Sequence, residues 1–123
     1  PNRNGLFVNI AACYAEALCY NYIVLGANKE EGATFKDNTI DFVNAQNEAI
    51  KNSVNTKVEV VAPVINMTKN EIVKTGINLD IPFELLHSCY LNNDKNCGEC
   101  ESCLRLKRAL QNNNRQDIID KIF

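Results

Sequence analysis

Four cysteines near the C-terminus have the residue type and spacing for chemistry: Cys89, then after seven intervening residues Cys97, Cys100 and Cys103. A Cys-x-x-Cys pair forms a tight knuckle whose two sulfurs can aim at one centre, and Gly98 supplies the permissive backbone such a turn needs. Cys103 falls at the expected start of a helix, where the positive end of the dipole favours a thiolate. Cys89 closes the set from across the loop. Four sulfur ligands leave no open coordination position, so the ion that fits best is one structural zinc per chain. Three other readings compete. Crowded reduced thiols would oxidise readily, and two disulfides do not suit a reducing compartment. Three close cysteines plus a fourth also resemble iron–sulfur ligation. Cys13 and Cys19 are expected inside the first helix, on or near its apolar face, as core residues and not ligands.

The elements that must position these residues follow from periodicity. Leu6, Ile10, Cys13, Ala17 and Tyr20 recur at helical spacing, which predicts a helix from Leu6 to Tyr22. Tyr22 to Gly26 reads as a short buried strand closed by glycine, and Asn28 to Asn38 as a polar loop. Asp37 or Asn38 is expected to cap a second helix running to about Asn52. Lys57 to Val64 reads as a valine-rich strand. Thr68-Lys-Asn-Glu71 has the pattern of a capping box opening a helix to about Leu79. Helices are expected over Glu101 to Gln111 and Gln116 to Ile122, separated by the polar run Asn112-Asn113-Asn114. Alternating helices and strands predict an α/β fold with a parallel sheet. Two strands are too few to complete such a sheet, so further strands are expected from a partner or from a longer chain.

Bulk composition limits the alternatives. The 123 residues are 46% hydrophobic and 23% charged, which suits a globular domain with a real core. A formal net charge of -2 gives no general attraction to nucleic acid. Apolar runs such as Val60 to Ile65 are strand-sized, far below the roughly 20 residues of a membrane-spanning helix. No basic-then-apolar leader pattern is present, and a cytoplasmic location is expected.

Beyond these physical readings, the string Ser88-Cys89-Tyr90, then Cys97-Gly98-Glu99-Cys100-Glu101-Ser102-Cys103 and Arg105, resembles the zinc loop of the 7-cyano-7-deazaguanine synthase family. That family makes a queuosine precursor and belongs to the PP-loop ATP-pyrophosphatase superfamily. Pro1-Asn2-Arg3-Asn4 is similar to the family's Pro-Gly-Arg-Asn, with Asn2 in place of glycine. Gly26-Ala27-Asn28, with Glu31 and Asp37 after it, resembles the segment where the family has Asp and then Tyr-Pro-Asp. Ala62-Pro63, Lys69 with Glu71, and Pro82-Phe83-Glu84 fit as well, whereas His87 stands where relatives often carry Trp. The family's phosphate loop, Ser-Gly-Gly-x-Asp-Ser, is not in this sequence. The resemblance therefore implies the C-terminal part of a Rossmann-like, adenine nucleotide alpha hydrolase-like sheet, with residues 1–84 in the PP-loop domain and residues 85–123 forming the zinc loop and terminal helices.

The resemblance also implies a ligase that converts 7-carboxy-7-deazaguanine, ammonia and ATP with Mg²⁺ to the 7-cyano product. The carboxylate must be adenylated, ammonia must displace AMP from it to give an amide, and a second activation must carry off the amide oxygen to leave a nitrile. Arg3 and, less directly, Lys69 are the candidate phosphate contacts. Asp37 and Glu31 are candidates to accept from the deazaguanine edge or to help hold Mg²⁺. Each has a plainer reading: Arg3 and Lys69 as solvated charges, Asp37 as a helix cap, Glu71 as half of the capping box, and His87 as packing or support beside a metal ligand. The family implies a homodimer, and this chain by itself is expected to be inactive. The rivals are a zinc-knuckle module for nucleic acid or protein, using Lys95, Arg105, Lys107 and Arg108, and a related PP-loop tRNA-modifying enzyme.

Overall fold

The computed structural model describes residues 2–91 and 95–123; Pro1 of the Pro-Asn-Arg-Asn string lies outside them. The chain packs as two compact units, residues 1–67 and 68–123. In the first, α1 (Arg3–Ala17) leads to β1 (Tyr22–Val24), a one-turn α2 (Lys29–Gly32), a 3₁₀ turn (Lys36–Asn38), α3 (Ile40–Lys51) and β2 (Glu59–Val61). The second contains α4 (Lys69–Asn78), a 3₁₀ turn (Phe83–Leu85), α5 (Glu101–Asn112) and α6 (Gln116–Ile122). No helix among the described residues is long and apolar enough to cross a membrane.

β1 and β2 pair in parallel, with Ile23 opposite Val60, as the alternation of helices and strands predicts. The amide of Glu59 donates to Asn21 (2.9 Å) and that of Leu25 to Val61 (2.9 Å), so Val60 turns its own backbone groups to the opposite side. There the side chain of Asn47 on α3 takes both: its Nδ2 donates to the Val60 carbonyl (2.9 Å) and its Oδ1 accepts from the Val60 amide (2.7 Å). One edge of the sheet is thereby closed by a side chain. Val8 and Ala12 of α1, Val43 and Ile50 of α3, and Val60 form the core of this unit.

Several boundaries differ from expectation. α1 stops at Ala17, five residues before the predicted end at Tyr22, because Cys19 adopts φ 57° and the Tyr20 amide donates back to Ala15 (2.8 Å). With Cys19 donating to Glu16 (3.3 Å), this is a Schellman cap with cysteine in the left-handed position. Cys13 and Cys19 are both exposed, against the expectation of core burial. The buried stripe of α1 is Gly5, Val8, Ala12 and Ala15, while Leu6, Ile10 and Tyr20 are exposed. β1 is not buried either, since Tyr22 and Val24 are 63% and 70% accessible. The expected loop over 28–38 instead holds α2, capped by Asn28 Oδ1 accepting from Glu30 and Glu31 (both 3.1 Å), and a 3₁₀ turn. α3 is capped by Thr39, whose hydroxyl accepts from the Phe42 amide (3.2 Å), and not by Asp37 or Asn38.

In the second unit the capping box is present. Glu71 accepts from the Thr68 amide (2.8 Å), and the Thr68 hydroxyl accepts from the Glu71 amide (3.3 Å). Gly76 lies inside α4 because Ile81 and Phe83 pack onto it: an added methyl would come 2.8 Å from Ile81 Cδ1 and 3.3 Å from Phe83 Cζ. Val73, Phe83, Leu106, Ala109 and Leu110 form a core with Ile118, Ile119 and Ile122 of α6. The segment from Thr68 to Phe83 therefore shares its packing with the helix that begins in the cysteine loop.

Candidate metal centre

The four cysteines converge. One sulfur from each of Cys89, Cys97, Cys100 and Cys103 lies within 4.8 Å of every other, and among the described residues no other grouping of metal-ligating side chains is so close. A tetrahedral ion with bonds of ~2.3 Å would place its sulfurs about 3.8 Å apart. Cys97 and Cys103 already stand at 3.9 Å. The thiols fit a metal ion in number, chemistry and spacing.

Local structure explains the convergence. Gly98 sits at φ +74°, the left-handed conformation that lets the chain fold back between Cys97 and Cys100. The fold-back turns two amides onto the Cys97 sulfur, those of Glu99 (3.4 Å) and Cys100 (3.3 Å). Those amides pull the Cys97 thiol pKa down, the Glu99 amide most. The Tyr90 amide and then that of Cys103 act alike on Cys100, which falls to about 6. Cys103 lies in the first turn of α5 with none of its surface exposed. Burial pushes its thiol up to about 11 without an ion, although the Gly98 amide opposes this. A divalent cation supplies the positive charge that a buried thiolate requires. The Leu91 amide donates to the Cys89 sulfur (3.3 Å), and the Ser88 hydroxyl donates to the Cys103 sulfur (3.7 Å).

Sequence reasoning missed Asn96. This buried amide accepts from the Ser88 (2.8 Å) and Cys89 (3.1 Å) amides and donates to the carbonyls of Leu86 (3.1 Å) and Ile122 (3.3 Å). From its place just before Cys97 it holds the Leu86–Cys89 segment and the end of α6. Nothing in the sequence singles it out among the neighbouring asparagines, since its importance lies in burial.

The other predicted site residues are distributed as follows. Arg3 is exposed at the first position of α1. Asp37 binds the next residue: Asn4 donates its amide to Asp37 Oδ2 (3.2 Å) and its side chain to the Asp37 carbonyl (2.8 Å). Asp37 is thus a cap after all, but of α1. Asn2, which precedes Arg3, has φ 53°, which accounts for asparagine where the family has glycine, since asparagine tolerates this region best after glycine. Glu31 is half-buried in α2, whose end leads through Phe35 to Asp37. Arg3, Glu31 and Asp37 belong to the first unit, while Lys69 opens α4 in the second.

A parallel α/β unit followed by a helical unit with four convergent thiols defines an α/β protein with a loop whose cysteines could hold a metal ion. Residues 1–114 match the family described as Queuosine biosynthesis protein QueC, and the chain belongs to that family. It is 54% identical over 109 residues to a 7-cyano-7-deazaguanine synthase of Carboxydothermus hydrogenoformans, covering 89% of this chain and 51% of the relative. A synthase of the same name from Pelotomaculum thermopropionicum is 49% identical over 109 residues, covering 89% of this chain and 49% of the relative. One from Bdellovibrio bacteriovorus is 46% identical over 114 residues, covering 93% and 49%. The chain spans about half the length of these curated relatives. The family read from the cysteine loop is the family found.

Proposed function

We propose that this chain is the C-terminal half of a 7-cyano-7-deazaguanine synthase, an ATP-dependent ligase that converts 7-carboxy-7-deazaguanine and ammonia to the nitrile. The observation that carries the reading is the QueC match over residues 1–114 together with the convergence of four thiols in one loop. The ion we assign is one structural Zn²⁺, held by Cys89, Cys97, Cys100 and Cys103 with no position left for substrate. It takes no part in the reaction and fixes the loop.

The two-stranded sheet is read as part of a Rossmann-like PP-loop sheet that continues beyond β1, because Asn47 already occupies the outer side of β2. By function, residues 1–84 belong to the PP-loop domain and residues 85–123 form the metal loop and terminal helices, a division that differs from the packing boundary. In open parallel sheets ligands bind outside the carboxyl ends of the strands, and β1 leads there into α2. Arg3 is assigned to a phosphate of ATP, with Asp37 anchoring the turn that presents it. Glu31 is assigned to the deazaguanine edge or the Mg²⁺ accompanying ATP, and Lys69 to a supporting phosphate contact. Homodimerisation rests on family resemblance, and a cytoplasmic location on the clustered thiols, which suit a reducing compartment.

The test fuses this chain to the N-terminal half of the Carboxydothermus relative and follows the nitrile product by mass spectrometry. The fusion should form it from 7-carboxy-7-deazaguanine with ATP and ammonia, whereas the 123-residue chain should form none. Arg3→Ala in the fusion should lower kcat/KM by about tenfold or more, as loss of a charged phosphate contact does. A folded, metal-loaded fusion that makes no nitrile, or turnover by the chain alone, would overturn the reading.

A further inference from the structure

Lys107 lies on α5 four residues after Cys103, which places the two side chains on one helix face. Surface lysines on helices normally extend their ammonium into water. Here Nζ stands 4.7 Å from the centre of the Phe123 ring. The same chain end rests on the knuckle glycine: a methyl added to Gly98 would come 2.5 Å from Nζ, 3.2 Å from Cε and 3.6 Å from Phe123 Cδ1. A cation is thus clamped between the turn that carries Cys97 and Cys100 and the last aromatic ring of the chain. Ion pairs join Arg105 to Glu101, Arg115 to Asp117 and Lys121 to Glu84, and none of these includes Lys107.

Four thiolates around a divalent ion leave about two negative charges in excess. Glu99 and Glu101 flank Cys100 and add to that excess, and the neighbouring Arg105 is already engaged by Glu101 at 2.8 Å. We propose that Lys107 is the counter-cation of the metal centre: its ammonium, held over Gly98 by Phe123, offsets the anionic thiolate shell and slows loss of the ion. The proposal rests on the reading that the four cysteines bind a divalent metal.

The test loads the 123-residue chain with one equivalent of Zn²⁺ and times its transfer to a chromogenic chelator. Lys107→Met, which keeps the length of the side chain and removes its charge, should release zinc about tenfold faster at low ionic strength. Lys107→Arg should stay within about threefold of wild type, and Phe123→Leu should fall between, since arginine keeps the charge and leucine only loosens its seat. Raising the salt concentration should speed release from the wild type and narrow its gap to Lys107→Met. With Co²⁺ in place of zinc, the sulfur-to-cobalt charge-transfer band should move to lower energy in Lys107→Met and stay in place in Lys107→Arg. Equal release rates and unshifted bands overturn the proposal. If Lys107→Met fails to fold, the wild type decides it: release that does not respond to salt counts against the cation. A wild-type chain that takes up no metal overturns the metal centre itself, and this inference with it.

Discussion

At the residue scale, position in the chain and role in the fold often part company. Asp37 precedes a helix, as a cap should, yet its carboxylate serves the amide of Asn4, thirty-three residues earlier. The pattern that announces a cap is local, and a cap supplied across the fold leaves no local trace. The cysteines behave oppositely: Cys97, Cys100 and Cys103 were legible because one turn and one helix start bring their sulfurs together. Cys100 also stands at the N-cap of α5 without a side-chain hydrogen bond to the helix, and serine is among the preferred residues there. Cys100→Ser therefore removes a ligand without harming the helix start. Metal content by atomic emission should fall from one per chain to near zero, while the helical signal of α5 persists. Retention of one ion per chain would show that the four thiols are not the site.

At the element scale, three helices end in the same way. Cys19, Asp80 and Asn114 take φ values of 57°, 52° and 56°, and each starts a return hydrogen bond typical of a Schellman cap. Asparagine and aspartate are recognisable in that place. Cysteine is not, which is why α1 ends earlier than its apolar spacing predicts. The misassigned face of α1 has a related cause: its buried stripe is made of glycine, alanines and one valine, small residues that let the helix approach β1 and α3 closely. Hydrophobic periodicity weights large side chains, and here the large ones point outward. Cys19 is exposed, so Cys19→Gly removes left-handed strain at no packing cost. It should stabilise the chain by about 1 kcal/mol in urea unfolding. The α6 start offers a test in pH. Asp117, exposed and bonded to Arg115 at 2.7 and 2.8 Å, has its pKa lowered from 3.8, chiefly by that hydrogen bond. A depressed carboxylate adds stability that is complete above its unfolded pKa and lost as pH falls through the folded one. The advantage of wild type over Asp117→Asn should thus be present at neutral pH and shrink below about 3.8, as read by thermal unfolding across that range.

At the scale of the whole chain, each unit has a dry centre, with Ile50 and Val60 of the first at 1% exposed, and each leaves apolar side chains outside it. The second closes around Leu106 and Leu110, which are 2% and 0% exposed, and leaves Leu79, Leu85 and Tyr90 outside. The first leaves Leu6, Phe7, Tyr14, Leu18, Tyr22 and Val24 between 58% and 70% accessible. The sequence reading of too few strands agrees with this exposure around α1 and β1, since a sheet of two strands covers little on either side. Asn47 gives that exposure a direction. A bare strand edge invites pairing with any extended chain, including copies of itself, and the carboxamide of Asn47 forecloses that on β2 by imitating a neighbouring strand. Self-association of the isolated chain is thereby channelled to a single side, along Tyr22 and Val24. Growth from one side only can join two copies back to back, but it cannot propagate through successive sheets into a fibre.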